Sequence, residues 1–443
     1  MANIRAFKGW RYSPEKTGES GVPDISDLCS PPYDVLDQAE RDALAEKNPH
    51  NVVELELAPG ALDLETPGNR YVTARDTWNT WVEQGVLAQD EEPSIYVLEQ
   101  HFNVNGREYR RTCFIVEMDI YSFDEKVVIP HELTLPKALG DRYRLLSTMN
   151  VNTSQVLGLY SDPSATYQQT LDEVKSKAPV ASAVDGQGVE SSLWRVTDQK
   201  TIDTIVASLD SKQVFIADGH HRYTVAVAWR DKCRELAASA KADSDAPSGK
   251  APKTDSVMIA LANMDDPQLL ILAYHRAVKA EGPLDMQAID AQARKYFDIT
   301  AGELDDLKAK LASSDKPAFI MVTSEGAELM ELKDDADLDE GMPNDHSIDW
   351  KKLDVSVLHE LLIKPMFGIT PDEPETLARI AYSQDDVKLI DEMGEGLHDA
   401  VFVMRPTRMD QLQSVSLGGE TMPQKSTFFY PKLPSGFVFR DMN

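Results

Sequence analysis

Cysteine is scarce: three residues in 443, Cys29, Cys113 and Cys233, with no paired spacing. That fits a reducing compartment and offers no thiolate metal site. Long apolar runs are missing as well. The longest, 256–262 and 269–274, are strand-sized, far short of the roughly 18 residues that cross a bilayer. The opening Met1-Ala2-Asn3-Ile4-Arg5 is not followed by an apolar signal region, so a cytoplasmic location is expected. Positive charge is in deficit: 45 Lys and Arg against 74 Asp and Glu give a net charge of −29. A field of that sign repels phosphate backbones and anionic lipid, which disfavours nucleic-acid and membrane partners. A small anionic ligand therefore needs a local cluster of cations. Several motifs are absent too. Gly249-Lys250 continues with Ala251, so there is no P-loop. No G-x-G-x-x-G follows a strand, and no G-x-S-x-G nucleophile elbow occurs.

What is present is globular. Hydrophobic residues make up 42% and charged residues 27%, and the length predicts two or three domains. A helix is expected over about 37–47, stopping before Asn48-Pro49, and a second over 70–84 with Gly85 as its stop. Alternating segments at 94–104 and 108–120, joined by Asn105-Gly106, predict a β-hairpin. Ile129-Pro130-His131-Glu132 opens a polar, charged loop running to Arg144. Short strands are expected at 157–160, 193–196, 214–217 and 257–262, with a helix over 223–238. Residues 239–255 are small and polar, a flexible insertion. A domain boundary is expected near Glu281-Gly282-Pro283. The expected domains are thus 1–281 and 282–443, the latter with helices at 356–363 and 374–380.

The richest constellation is Asp218-Gly219-His220-His221-Arg222, where a buried strand turns into a helix. Gly219 adopts positive φ at little cost and admits close approach of a ligand to the backbone. The first N–H groups of a helix lack intrahelical partners and lie at the positive end of its dipole, which suits a phosphate. Arg222 in the first turn can hold phosphate oxygens in a bidentate way. His220 and His221 can carry protons near neutral pH. Asp218 can cap the helix, orient a histidine or hold Mg2+. The plainer alternative makes Asp218 a cap and the histidines satisfied polar groups.

Other candidates lie elsewhere. His131-Glu132 can form an acid/base pair, close in sequence to Lys137, Asp141, Arg142 and Arg144. Its spacing is not that of a helical zinc motif. His275-Arg276 ends a buried strand, where charge is costly unless it faces a cleft. Arg405-Pro406-Thr407-Arg408 and Lys425-Ser426 read as surface cations.

Ser30-Pro31-Pro32-Tyr33-Asp34-Val35, Asn48-Pro49-His50-Asn51-Val52-Val53, Pro130-His131-Glu132-Leu133-Thr134, Ala217-Asp218-Gly219-His220-His221-Arg222-Tyr223 and Met422-Pro423-Gln424-Lys425-Ser426-Thr427 resemble the segments of a bacterial family, domain of unknown function 1015. The Gly219–Tyr223 turn is also similar to the corresponding turns of sulfiredoxins, ParB proteins and free-serine kinases. That resemblance implies an α/β (mixed α+β) fold, a ParB/sulfiredoxin-like mixed-sheet core with an additional C-terminal α/β domain. It also implies that nucleotide phosphates bind at Gly219, His220, His221 and Arg222. His220 stands where sulfiredoxins carry their reactive Cys, and the net charge opposes ParB-like DNA binding.

The expectation drawn from these readings is a nucleotide-dependent phosphotransferase acting on a small hydroxyl-bearing metabolite, using ATP or ADP with Mg2+. Gly219, His220, Arg222, Arg142, His275 and Arg276 are the expected cofactor-binding residues, with Asp218 as binder or metal ligand. Glu132, His131 and His221 are the candidate catalytic groups. The rivals are a nucleotide-binding regulatory protein without turnover, and a metal-dependent hydrolase using His131, His220, His221 and His275.

Overall fold

The computed structural model describes residues 2–13, 21–134, 136–209, 212–242, 253–370 and 373–443. Most of the expected insertion, residues 243–252, lies outside the described residues. The chain divides into two compact units. One comprises Met1–Pro130, Thr134–Leu269 and Pro431–Asn443; the other comprises His131–Leu133 and Leu270–Tyr430. The boundary expected at Glu281-Gly282-Pro283 falls inside the second unit, between the strand His275–Val278 and the helix Met286–Tyr296. No helix among the described residues is long and apolar enough to cross a membrane.

The first unit is built on a mixed sheet of nine strands among the described residues. Its order is Val128–Ile129, Val214–Asp218, Val156–Tyr160, Ser256–Asn263, Arg107–Asp119, Ile95–Val104, Glu190–Val196 and Ala181–Val184, with Ile4–Arg5 added alongside Arg107–Asp119. The hairpin Ile95–Val104/Arg107–Asp119 turns at Asn105 (φ 53°) and Gly106 (φ 78°). Two successive positive φ values match the right-handed strand twist, as an Asn-Gly pair predicts. Ser256–Asn263 runs parallel to Val156–Tyr160 and antiparallel to Arg107–Asp119. All eight of its residues are buried, which is why it reads as a continuous apolar run rather than an alternating one. Ile259, Val116, Val97 and Ile216 join Tyr223 and Ala226 of the following helix in one core.

Local signals fix the helix ends. Asp37 caps Gln38–Lys47 through a reciprocal capping box with Glu40, which satisfies two otherwise unpaired donors. Arg70–Glu83 buries Tyr71, Ala74, Trp78 and Trp81 on one face and ends before Gly85 at φ 72°. The polar stretch expected to be a loop as far as Arg144 is instead a helix, Pro136–Met149. Proline is tolerated at its first position because that N–H is unpaired in any helix, and Leu145 and Met149 are buried on it. The helix expected at 223–238 runs His220–Ala242.

The second unit carries an antiparallel six-stranded sheet, in the order Phe297–Gly302, Gly326–Leu332, Ala318–Thr323, Ala400–Val403, His275–Val278 and Ile380–Ser383. Ala277, Ile320, Leu329, Val401, Leu307 and Leu389 form its core. The helix expected at 356–363 is Asp354–Leu358 continued by one wide π turn, His359–Ile363. The one expected at 374–380 is shorter, Pro374–Leu377, and gives way to the strand Ile380–Ser383. Phe428–Tyr430 pairs with Leu270–Leu272.

Candidate functional site

Val214–Asp218 lies between Val156–Tyr160 and Val128–Ile129, with its first four residues buried. Its register slips at the end: Ile216 faces Gly158 while Asp218 faces Leu157, leaving Ala217 as an extra residue. Such bulges re-aim side chains beside functional sites. Gly219 then takes φ 86°, and its carbonyl accepts from the Tyr223 N–H at 3.0 Å, opening the helix His220–Ala242. The N–H groups of His220, His221 and Arg222 precede the first residue able to reach a carbonyl of this helix.

Asp218 is an anchor for cations. Arg222 Nη2 donates to Asp218 Oδ2 at 2.8 Å, and Lys432 Nζ donates to Asp218 Oδ1. Burial by itself would raise the Asp218 pKa, but Lys432, Arg222 and His220 outweigh it and hold the carboxyl far below its ordinary range. Both carboxylate oxygens are thus engaged by cations. Among the described residues, no group of three or more His, Cys, Asp or Glu side chains is placed to hold a metal ion. His220 is buried and His221 half-buried.

The Arg222 guanidinium folds back over Gly219. A Cβ built on Gly219 would stand 2.9 Å from Arg222 Nε and 3.0 Å from Nη2, so the glycine provides room for the arginine as well as the backbone angle. Arg222 Nη1 also donates to the Gln155 carbonyl, while its buried Nε has no hydrogen-bond partner among the described residues. Arg111, on the strand Arg107–Asp119, is 1% exposed. It donates to Gln100 Oε1 and to the Pro431 carbonyl. Burial lowers its pKa, although Cys113 and Asp218 act in the opposite sense. Neither Arg111 nor Lys432 is recognisable from sequence. Arg111 reads as one polar position in an alternating hairpin, and Lys432 lies more than 200 residues from its partner.

Arg142 lines a cavity of about 40 Å3 together with Arg222, Glu56, Thr153 and Ser154, a space suited to water. Its guanidinium is engaged. It bonds Glu56 Oε2 and the Glu56 carbonyl, each at 3.0 Å, and Asp141 Oδ2 at 2.6 and 2.9 Å. It also lies 4.0 Å from the centre of the Tyr33 ring. This set ties three segments of the first unit together beside the turn.

The remaining expected residues gather in the second unit. His131 is buried, its Nε2 at 2.8 Å from Thr427 Oγ1, and its carbonyl accepts from the Met422 N–H at 2.8 Å. Glu132 Oε1 lies 3.5 Å from the backbone nitrogen of Lys425. The ring nitrogen Nδ1 of His275 accepts from the Met404 N–H at 3.0 Å, which requires that nitrogen to be unprotonated. Burial, foremost, lowers its pKa. Arg276 donates to His359 Nε2 at 3.0 Å, to the Tyr274 carbonyl at 2.7 Å and to the Lys425 carbonyl at 3.0 Å. It lies 5.5 Å from the centre of the Tyr382 ring, and burial brings its pKa down to about 10. His359 is pushed down to about 3, by burial first and then by Arg276. Residues 131–132, 275–276 and 422–427 therefore converge within one unit, while Asp218–Arg222, Arg111 and Lys432 converge within the other.

The chain belongs to the family described as a protein of unknown function, DUF1015, which it matches over residues 4–356. No curated protein matches it significantly. Among solved structures, a free serine kinase variant in complex with ADP is similar at 13% identity and a TM-score of 0.36, over 73% of this chain and 92% of that one. A conserved hypothetical protein from Pyrococcus furiosus is similar at 13% identity and 0.34, over 74% and 95%. SbnI with C-terminal truncation from Staphylococcus aureus is similar at 11% identity and 0.31, over 70% and 82%.

Proposed function

We propose that the first unit binds a nucleotide through its phosphate at the Asp218–Arg222 turn and transfers a phosphoryl group to a small hydroxyl-bearing metabolite. The observation that carries this reading is the Gly219 cradle. A left-handed glycine at the mouth of a 23-residue helix lies beneath a guanidinium whose Nε is buried and has no hydrogen-bond partner among the described residues. Helix-end amides and a guanidinium held by a carboxylate are suited to an oxyanion. In this reading Gly219, His220 and Arg222 hold phosphate. Asp218 orients Arg222 and Lys432, and the divalent ion, Mg2+, arrives with ATP or ADP instead of being bound by Asp218 alone. His221, half-buried in the first helical turn, receives the proton of the acceptor hydroxyl, as phosphoryl transfer requires.

The test is a thermal-shift series with AMP, ADP and ATP, with and without Mg2+, on the wild type and on Arg222→Ala. A nucleotide at about 100 times its Kd stabilises by roughly 2.7 kcal/mol. The wild type is expected to shift and Arg222→Ala to respond much less. A wild type that ignores every nucleotide, or a variant that responds equally, removes the reading. Phosphorus NMR of the nucleotide with pooled small alcohols then separates transfer from binding alone.

A further inference from the structure

We propose that Arg111 is a second phosphate-binding residue of this site, so that the site selects a nucleoside diphosphate over a monophosphate. The inference rests on the nucleotide reading above and adds to it a residue on a different strand and a preference between ligands. Its basis is a concentration of unpaired polar atoms. Arg111 Nε and Nη1, Arg222 Nε and Gln155 Oε1 are all buried and all lack a hydrogen-bond partner among the described residues.

These atoms belong to one neighbourhood. Arg222 donates to the Gln155 carbonyl and to Asp218. Gln155 Nε2 donates to the Pro434 carbonyl at 3.0 Å. Arg111 Nη2 donates to the Pro431 carbonyl at 2.6 Å, and the next residue, Lys432, reaches Asp218. The segment 431–434 thus ties Arg111, Gln155, Asp218 and Arg222 together. Arg222 and Lys432 both bond the Asp218 carboxylate, whereas Arg111 forms no ion pair among the described residues.

A buried cation without a carboxylate partner, carrying unpaired donors, is a costly arrangement that a bound anion relieves. One phosphate at the turn engages the helix amides and Arg222. It leaves the two unpaired donors of Arg111, which stand on the strand Arg107–Asp119 rather than on the turn. A second phosphoryl group fills that need. Arg111 is not explained by its bonds to Gln100 and Pro431, because a lysine or glutamine makes contacts of that kind without bringing two further donor nitrogens into the interior.

The experiment measures ADP and AMP binding calorimetrically to the full-length wild type, Arg111→Lys and Arg111→Met. The wild type is expected to prefer ADP by roughly tenfold or more, the effect of one charge-assisted pair. In Arg111→Lys that preference falls to within about threefold. Arg111→Met gives the same loss. Thermal melts identify a variant that fails to fold, in which case the wild-type ratio still decides. Equal wild-type affinities for ADP and AMP overturn the inference and leave the nucleotide reading standing, as does an undiminished preference in Arg111→Lys. Absence of binding by both nucleotides to the wild type removes the nucleotide reading and the inference with it.

Discussion

Replacing Gly219 with alanine imposes two separate costs, and a double-mutant cycle resolves them. The first is local: at φ 86° a Cβ meets the steric penalty of left-handed backbone, about 1–2 kcal/mol. The second is transmitted through Arg222. The new Cβ would lie 2.9 Å from its Nε, so the guanidinium swings away and loses its bond to Asp218. That pair is largely buried, with side chains 14% and 15% exposed, and a hydrogen bond to a charged group in such a place contributes about 1.5–3 kcal/mol. Gly219→Ala is therefore expected to destabilise the first unit by roughly 2.5–5 kcal/mol. In an Arg222→Ala background only the local penalty of about 1–2 kcal/mol remains, giving a coupling energy near 2 kcal/mol. Urea unfolding read by tryptophan fluorescence suits the measurement, because Trp10, Trp78, Trp81, Trp194 and Trp229 lie in the first unit and Trp350 alone in the second. If Gly219→Ala costs the same in both backgrounds, within about 0.5 kcal/mol, the account of Gly219 as a seat for Arg222 is wrong.

Two further outcomes follow from the buried charges. Asp218→Asn leaves Arg222 and Lys432 without their carboxylate and is expected to cost about 3–5 kcal/mol. Because the Asp218 pKa is depressed in the fold, its contribution is complete above about pH 4 and declines as pH falls further. The variant should therefore show a shallower acid dependence of its urea midpoint than the wild type. In the second unit, His359 accepts from Arg276 and titrates at about 3. Its contribution is fully present above about pH 6.5 and falls by about 1.4 kcal/mol per pH unit as the medium is acidified toward the folded value. His359→Gln keeps an acceptor and removes the titration. The pH slope of Trp350 fluorescence unfolding should flatten by about that amount between roughly pH 6 and 4, and an unchanged slope would refute the assignment.

Local chemistry made much of the fold legible. Asn105-Gly106 specified its hairpin because few residues take two successive positive φ values. Asp37 with Glu40, and Gly85 after Glu83, marked helix ends through caps that act within four residues. The run Val257–Ala262 announced a strand buried on both faces. The helix Pro136–Met149 was missed because its charged residues, half-buried Asp141 and buried Arg142, pair with each other and bond Tyr71 and Glu56. Without knowledge of those partners, such a segment reads as solvent-exposed loop.

The same division holds for the candidate site. By itself the sequence determined the strand–Gly–helix turn at Asp218–Arg222, since the backbone freedom of glycine, the helix-end amides and the arginine in the first turn are all contiguous in the chain. Only the tertiary structure decided what surrounds that turn. It brought in Lys432 from the far end of the chain and Arg111 from a strand more than 100 residues earlier, and made Asp218 a clamp for two cations. It gathered His131, Glu132, His275 and Arg276 into the second unit. The physical reason is that a charge in the interior takes its character from whatever partner the packing supplies, and a partner at that separation leaves no periodicity or spacing in the sequence.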